Sequence, residues 1–242
     1  MPRFYLFFLT MLLSAATASA QTTFRLGLRG GGNRASSTLA STNNSTGNYP
    51  FNFSADKSAI YAWQAGAVLE IAFRKFALQP ALLFSQKGER SNPIGYISGV
   101  AGISGEERRS TNRYNWLEFL LNAVYTIHGF QVFAGPYIAV AVGGRQRGTS
   151  YGFSPFARYA PYSFNDEVRY GSNTDFRRLD MGVNFGLGYR QGPLQVQLGY
   201  GLGLRNLRQT DATQFYDYGH NFNRDAAYNR VAQLTGTYFF EL

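Results

Sequence analysis

Residues 179–205 read LDMGVNFGLGYRQGPLQVQLGYGLGLR. Leu179, Met181, Val183, Phe185, Leu187 and Tyr189 alternate with Asp180, Gly182, Asn184, Gly186, Gly188 and Arg190. After a short break the pattern resumes. Leu194, Val196, Leu198, Tyr200, Leu202 and Leu204 alternate with Gln195, Gln197, Gly199, Gly201, Gly203 and Arg205. A period of two belongs to a β-strand with two unlike faces. A soluble antiparallel sheet also alternates. What differs here is the polar face, which is made of Gly, Gln, Asn and single charges. Small residues of that kind suit the inside of a narrow closed barrel, where side chains fill the interior. The long apolar face must then point outward, which is stable only in lipid.

Working outward, the same period predicts eight strands: 22–34, 59–73, 76–88, 112–126, 130–143, 177–190, 193–205 and 228–240. About 9–11 tilted residues span a bilayer core, so each is long enough to cross. Very short turns around Arg74-Lys75, His128-Gly129 and Gln191-Gly192 alternate with long connections at 35–58, 89–111, 144–176 and 206–227. Short turns on one side and long loops on the other are the pattern of outer-membrane barrels. The expected fold is all-β, an eight-stranded antiparallel transmembrane β-barrel. Trp63, Trp116, Tyr125, Tyr189, Tyr200 and Tyr238 are expected in its interfacial girdles. Pro80 and Pro136 fall inside strands, where proline is normally excluded, so a bulge or a different strand limit is expected there.

The first twenty residues read as an address. Arg3 is a short positive region, Phe4 to Leu13 is nearly all apolar, and Ala18-Ser19-Ala20 is a small-x-small cleavage pattern before Gln21. The expected organisation is a leader over 1–20, cleaved between Ala20 and Gln21, and a barrel domain over 21–242. Composition excludes several other classes. With no cysteine and two histidines, His128 and His220, the 242-residue chain has no disulfide framework and little for a zinc or histidine-based site. Its 17% aromatic content argues against disorder.

Several short stretches carry a resemblance. They are Leu26-Gly27-Leu28-Arg29-Gly30-Gly31, Gln64-Ala65-Gly66, the run from Leu78 to Gly88, and Trp116-Leu117-Glu118-Phe119. To these add Ala134-Gly135-Pro136-Tyr137, Asp180-Met181-Gly182 and the final strand from Leu234 to Phe240. In order and spacing they resemble the PorT-type outer-membrane β-barrel family of Bacteroidetes, over essentially the whole chain after the leader. Leu120 stands where family members often have proline. The resemblance implies an outer-membrane location and no known enzymatic activity, with one member implicated in type IX protein secretion.

The formal charge of +9 first suggests an anionic partner such as nucleic acid. Its placement redirects that idea. Arg3 leaves with the leader, and the long connections are neutral in sum, so the excess lies in strands and turns. No nucleic-acid partner is expected. Parity places Arg25, Arg29, Lys87, Arg178, Arg190 and Arg205 inward, together with Glu70, Glu118 and Asp180. Buried charges need partners, so an ionic plug is expected in which Glu70, Glu118 and Asp180 pair with Arg29, Arg205 and Lys87. Parity places Arg34, Lys57, Arg113, Arg177 and Arg230 outward at the loop ends. This ring is expected to meet lipopolysaccharide phosphates, for which guanidinium groups are suited.

Other motifs do not reach chemistry, and neither a cofactor nor a catalytic group is expected. Gly30-Gly31-Gly32-Asn33-Arg34 lacks the ending of a phosphate loop. Asp211, Asp217, His220 and Asp225 match no known cation cage. Connection 144–176 carries Tyr151, Phe153, Phe156, Tyr159, Tyr162, Phe164, Tyr170 and Phe176 among arginines. Two readings stand for it: a binding surface for a protein or glycan, or a cap folded over the barrel mouth. The expected function is a non-enzymatic outer-membrane barrel with a structural, adhesive or assembly role. Outer-membrane lipid and, during biogenesis, the barrel-assembly machinery are its expected partners. The alternatives are a component of a type IX-like secretion machinery, a small passive pore, and a soluble ligand-binding barrel of lipocalin type.

Overall fold

The computed structural model describes residues 22–38, 43–44, 51–99, 102–171, 176–207 and 227–241. The expected leader, its expected cleavage pair Ala20 and Gln21, and the group Asp211, Asp217, His220 and Asp225 lie outside the described residues. The strands are β1 (Thr23–Ser37), β2 (Asn43–Asn44), β3 (Phe51–Phe73), β4 (Phe76–Gly99) and β5 (Gly102–Ile127). They continue as β6 (Phe130–Phe153), β7 (Tyr162–Glu167), β8 (Leu179–Gln191), β9 (Leu194–Gly203) and β10 (Asn229–Glu241). Eight of them close a ring in the order β1-β3-β4-β5-β6-β8-β9-β10, each antiparallel to its neighbours, with β1 paired to both β3 and β10. Closure satisfies the wall's backbone without leaving an edge. β2 and β7 are short additions beyond the ring.

Two-residue turns at Arg74-Lys75, His128-Gly129 and Gly192-Pro193 close one end. Arg74, His128, Gly129 and Gly192 have φ of 54°, 49°, 87° and 58°, the left-handed values that tight hairpins require. The wall faces outward with its apolar side. Leu26, Leu28, Trp63, Leu82, Phe119, Ile138, Leu187, Leu198 and Leu234 are 44–63% exposed. Glutamines, asparagines and charges are buried inside. This is the inverse of a soluble ligand-binding barrel and sets that alternative aside. Phe76 stacks on Tyr125 (4.7 Å), Phe130 on Tyr189 (5.2 Å) and Tyr238 on Phe240 (5.1 Å) at the turn end, while Trp63 meets Phe84 (5.3 Å) towards the other. Trp116 does not join a girdle. It shares the inward face of Glu118 and is buried.

Neither proline distorts its strand. β3–β4 and β5–β6 each skip the pairs at Pro80 and Pro136 and resume in the same register. A missing N–H costs the ladder a bond on one side only, so neither a bulge nor a strand end is needed. The real irregularities lie elsewhere, between Ala59 and Gln64 in β3 and beside the Asn115–Trp116 step of β5, where β6 carries the additional residue Val142.

These two bulges mark a boundary. Beyond it, β3, β4, β5 and β6 continue as a sheet above the ring, extended by β7 on β6. Segments 89–99, 102–111 and 144–153 are therefore strand, not loop. β5 has 26 residues, far more than the about 9–11 that cross a bilayer. The extension, called the blade here, gives no period-two hydrophobic signal because both its faces meet water. Its ladder hydrogen bonds continue regardless.

Inside the ring, glycines make room for aromatic rings. A Cβ on Gly186 would meet the Leu198 carbonyl oxygen at 2.2 Å and the Phe133 ring at 2.7 Å, and one on Gly199, its cross-strand partner, would come within 3.0 Å of the same ring. Gly182 sits likewise under Tyr137 and Gly27 under Phe239. Small residues on one strand thus receive large ones from the next, which fills the lumen to interior density. Gly186→Leu is expected to displace Phe133 and to cost about 1–3 kcal/mol as overpacking. Urea unfolding in detergent micelles, followed by heat-modifiable mobility, reads the loss.

Candidate functional site

The lumen is filled by polar layers stacked along the barrel axis. Nearest the tight turns, Glu70 accepts from Arg190 Nη1 at 2.5 and 2.7 Å and from Arg25 Nη1 at 2.9 Å. Gln79 donates to the same carboxylate at 2.9 Å. Arg29 lies above them. It donates to Thr237 Oγ1 at 2.9 Å and to Gln79 Oε1 at 3.3 Å. A glutamine relay runs on from Gln195 to Gln131 at 2.6 Å and from Gln131 to Thr126 at 3.2 Å.

The middle layer holds the second group of acids. Lys87 Nζ is 2.5 Å from Glu118 Oε1 and 3.9 Å from Asp180 Oδ2. Asn229 (2.7 Å) and the Tyr137 hydroxyl (3.1 Å) donate to Asp180. Lys87 also lies 4.7 Å from the centre of the Tyr137 ring. A third layer joins Lys57 Nζ to Glu89 Oε1 at 3.4 Å and to Ser37 Oγ at 2.7 Å.

Of the expected pairings, the structure brings Lys87 to Glu118 and Asp180 and differs in the others. Glu70 pairs with Arg25 and Arg190, not with Arg29, which is held by neutral acceptors. Arg205 does not take part. β9 ends at Gly203, and the half-buried Arg205 beyond it has no carboxylate partner among the described residues. Arg178 was expected inward but precedes β8, is exposed, and donates to the Ala141 carbonyl at 3.2 Å. Glu89, Tyr137 and Asn229 were not anticipated. The bulges that turn Lys57 onto Glu89 leave no mark in a period-two pattern.

The rim cations divide between the two faces of the wall. Arg34 and Arg113 face outward and are exposed. Arg113 donates to Gln86 Oε1 at 2.8 Å and to the Tyr61 carbonyl at 3.3 Å. Arg230 also faces outward, bonding the Gly203 and Asn229 carbonyls at 2.9 and 3.0 Å. Lys57 faces inward, because the bulge between Ala59 and Gln64 inverts the parity beyond it. Arg177 precedes β8 and turns to the mouth of the lumen, lining a small cavity there.

That cavity is about 10 Å³ and is walled by Glu89, Tyr114, Trp116, Tyr170 and Phe176, with room for about one water. Tyr170 and Phe176 fold back onto Trp116 and Tyr114, with ring centres 6.2 and 5.4 Å apart. The Tyr170 hydroxyl donates to the Gly143 carbonyl at 3.2 Å, and burial pushes its phenol pKa up, which keeps the donor proton in place. Connection 144–176 therefore divides. Its far end caps the barrel. Its tip does not, for Phe156, Tyr159 and Tyr162 are 87%, 61% and 57% exposed. Between them, Arg108 packs 3.9 Å over Phe164 and Arg109 5.7 Å from Tyr151, geometry that favours the cation on the ring face.

Residues 19–209 match the model of the outer membrane protein beta-barrel domain. The chain belongs to that family. An outer-membrane barrel of this kind places the protein in the outer membrane of a Gram-negative bacterium, with the tight turns periplasmic and the blade extracellular. Among curated proteins no sequence matches it. Solved structures that it is similar to include Neisserial surface protein A, at 8% identity over 89% of this chain and 97% of that one, TM-score 0.37. Another is the outer membrane protease OmpT from Escherichia coli, at 10% identity over 92% and 98%, TM-score 0.39. A third is the translocator domain of the autotransporter NalP from Neisseria meningitidis, at 11% identity over 95% and 93%, TM-score 0.24. At these values the likenesses carry no functional argument.

Lys87→Met would strand Glu118 and Asp180 in the lumen. Breaking a buried pair in this way is expected to cost about 3–5 kcal/mol. Glu118→Gln, which leaves Asp180 facing Lys87, should cost less. Urea titration of the folded barrel, read by tryptophan fluorescence, distinguishes the two. Reconstituted into planar bilayers, the wild-type barrel is expected to stay at baseline conductance, because the polar layers and the cap fill its bore.

Proposed function

We propose that this outer-membrane barrel is a non-enzymatic scaffold that holds the blade outside the cell and presents its aromatic tip to a protein or glycan partner. The observation that carries the reading is the exposure of Phe156, Tyr159 and Tyr162 together at the tip of a connection whose Tyr170 and Phe176 are packed onto Trp116 and Tyr114. Exposed aromatics beside arginines are the residue types that dominate recognition surfaces, and flat apolar rings stack well on sugars and aliphatic groups alike. The lumen acids favour the non-enzymatic reading, since Glu70, Glu89 and Glu118 are each tied to a cation. A closed barrel whose strands continue into a paired sheet supports a structural or adhesive role.

The PorT-type resemblance supports a secretion-linked role as a second reading. The filled lumen would make the protein an anchor for such a machinery and not its conduit.

Replacing Phe156, Tyr159 and Tyr162 with serine tests the first reading. The detergent-solubilised protein is passed over an immobilised panel of surface polysaccharides and extracellular proteins. The triple variant is expected to lose the wild-type's binding while keeping its heat-modifiable mobility. Equal binding by both would remove the tip from the function.

A further inference from the structure

A separate charged feature lies on the outer wall at the level of the bulges. β6 carries one residue more than β5 there, Val142. Past it, Arg145 stands directly opposite Arg113, and Arg147 directly opposite Thr111, whose neighbour on the other side is Arg90. Like charges set opposite each other on one face of a sheet repel. Arg113, Arg145 and Arg147 line an open groove of about 520 Å³. Among the described residues Glu167 is the acid that lines it. Glu167 is 3.9 Å from Arg145, and the two side chains are 80% and 54% exposed. A pair so exposed neutralises little.

The groove is built rather than incidental. Gln86 orients Arg113, and Asn165 accepts from Arg147 Nε at 2.9 Å, which leaves each guanidinium's other donors free to turn outward. Gly143 forms part of the wall, and a Cβ there would meet no atom within 4 Å. Packing therefore does not require glycine at that position; its effect is to keep the groove open. Just below, Leu117, Val140 and Val142 begin the exposed apolar band.

We propose that the groove binds a phosphate group of a phosphorylated outer-leaflet glycolipid, the lipid A end of lipopolysaccharide. The planar donors of arginine match phosphate oxygens, and the band beneath takes acyl chains. That adjacency favours a lipid headgroup over free phosphate. The site differs from a uniform ring of cations: Lys57 and Arg177 are turned inward, and Arg145 and Arg147 take their place.

The test uses the full barrel in detergent and native mass spectrometry. The protein is titrated with bisphosphorylated lipid A, with the same lipid stripped of both phosphates, and with inorganic phosphate. Lipid A is expected to bind the wild type and to bind R145Q/R147Q about tenfold more weakly or less, as loss of two charge-assisted contacts implies. Gly143→Leu fills the groove with every charge intact and should weaken binding as well. Glu167→Gln removes the competing carboxylate and should tighten it. Arg145, Arg147 and Glu167 are exposed and Gly143 is half-buried, and each variant is checked for heat-modifiable mobility. Should R145Q/R147Q lose that mobility, the opposite signs of Gly143→Leu and Glu167→Gln still decide. Unchanged affinity across the variants, equal affinity for the stripped lipid, or displacement of lipid A by millimolar inorganic phosphate would overturn the proposal.

Discussion

Lipid offers no hydrogen bond to a peptide group, so the wall of this protein must satisfy its backbone from within. Closing eight strands into a ring meets that demand. A ring this narrow has an interior that side chains must fill. Everything inside follows from those two constraints. Glycines lie under Phe133, Tyr137 and Phe239 because the bore cannot hold rings on every strand. Acids and bases sit in layers because a buried charge without a partner is costly. Arg25 and Arg190 converge on Glu70, Lys87 bridges towards Glu118 and Asp180, and Lys57 closes the stack on Glu89.

The second organising feature is the level at which the barrel becomes a blade. Two additional residues, one in β3 and one in β6, fall at the same height on strands separated by β4 and β5. Below that level the outer face is apolar. Above it the strands stay paired while their side chains turn polar. The Tyr170 and Phe176 cap, the inward turn of Lys57 and the arginine groove all lie at this level. A single inserted residue flips every side chain beyond it to the other face, so two insertions redistribute the charges of the upper rim.

Legibility of the sequence followed the environment of each segment. Between Leu179 and Arg205 one face meets lipid and the other a polar lumen, and alternation is nearly perfect. The same holds for Glu70, Lys87, Glu118 and Asp180, whose inward placement parity states correctly. Segments 89–99, 102–111 and 144–153 read as loops because water on both faces removes the contrast on which periodicity depends. Pro80 and Pro136 read as interruptions because a proline costs only one bond in a ladder that is otherwise continuous.

The sequence by itself determined the barrel, its eight crossings, the outward apolar face and the inward placement of Glu70, Lys87, Glu118 and Asp180. These follow from a period of two and from turn residues, which are local. Only the tertiary structure decided which charge meets which. Glu70 chooses Arg190 across 120 residues of chain, and Arg113 faces Arg145 across a bulge that no alternation reveals. Pairing depends on register around a closed ring. Register is a property of neighbouring strands together, not of any strand alone.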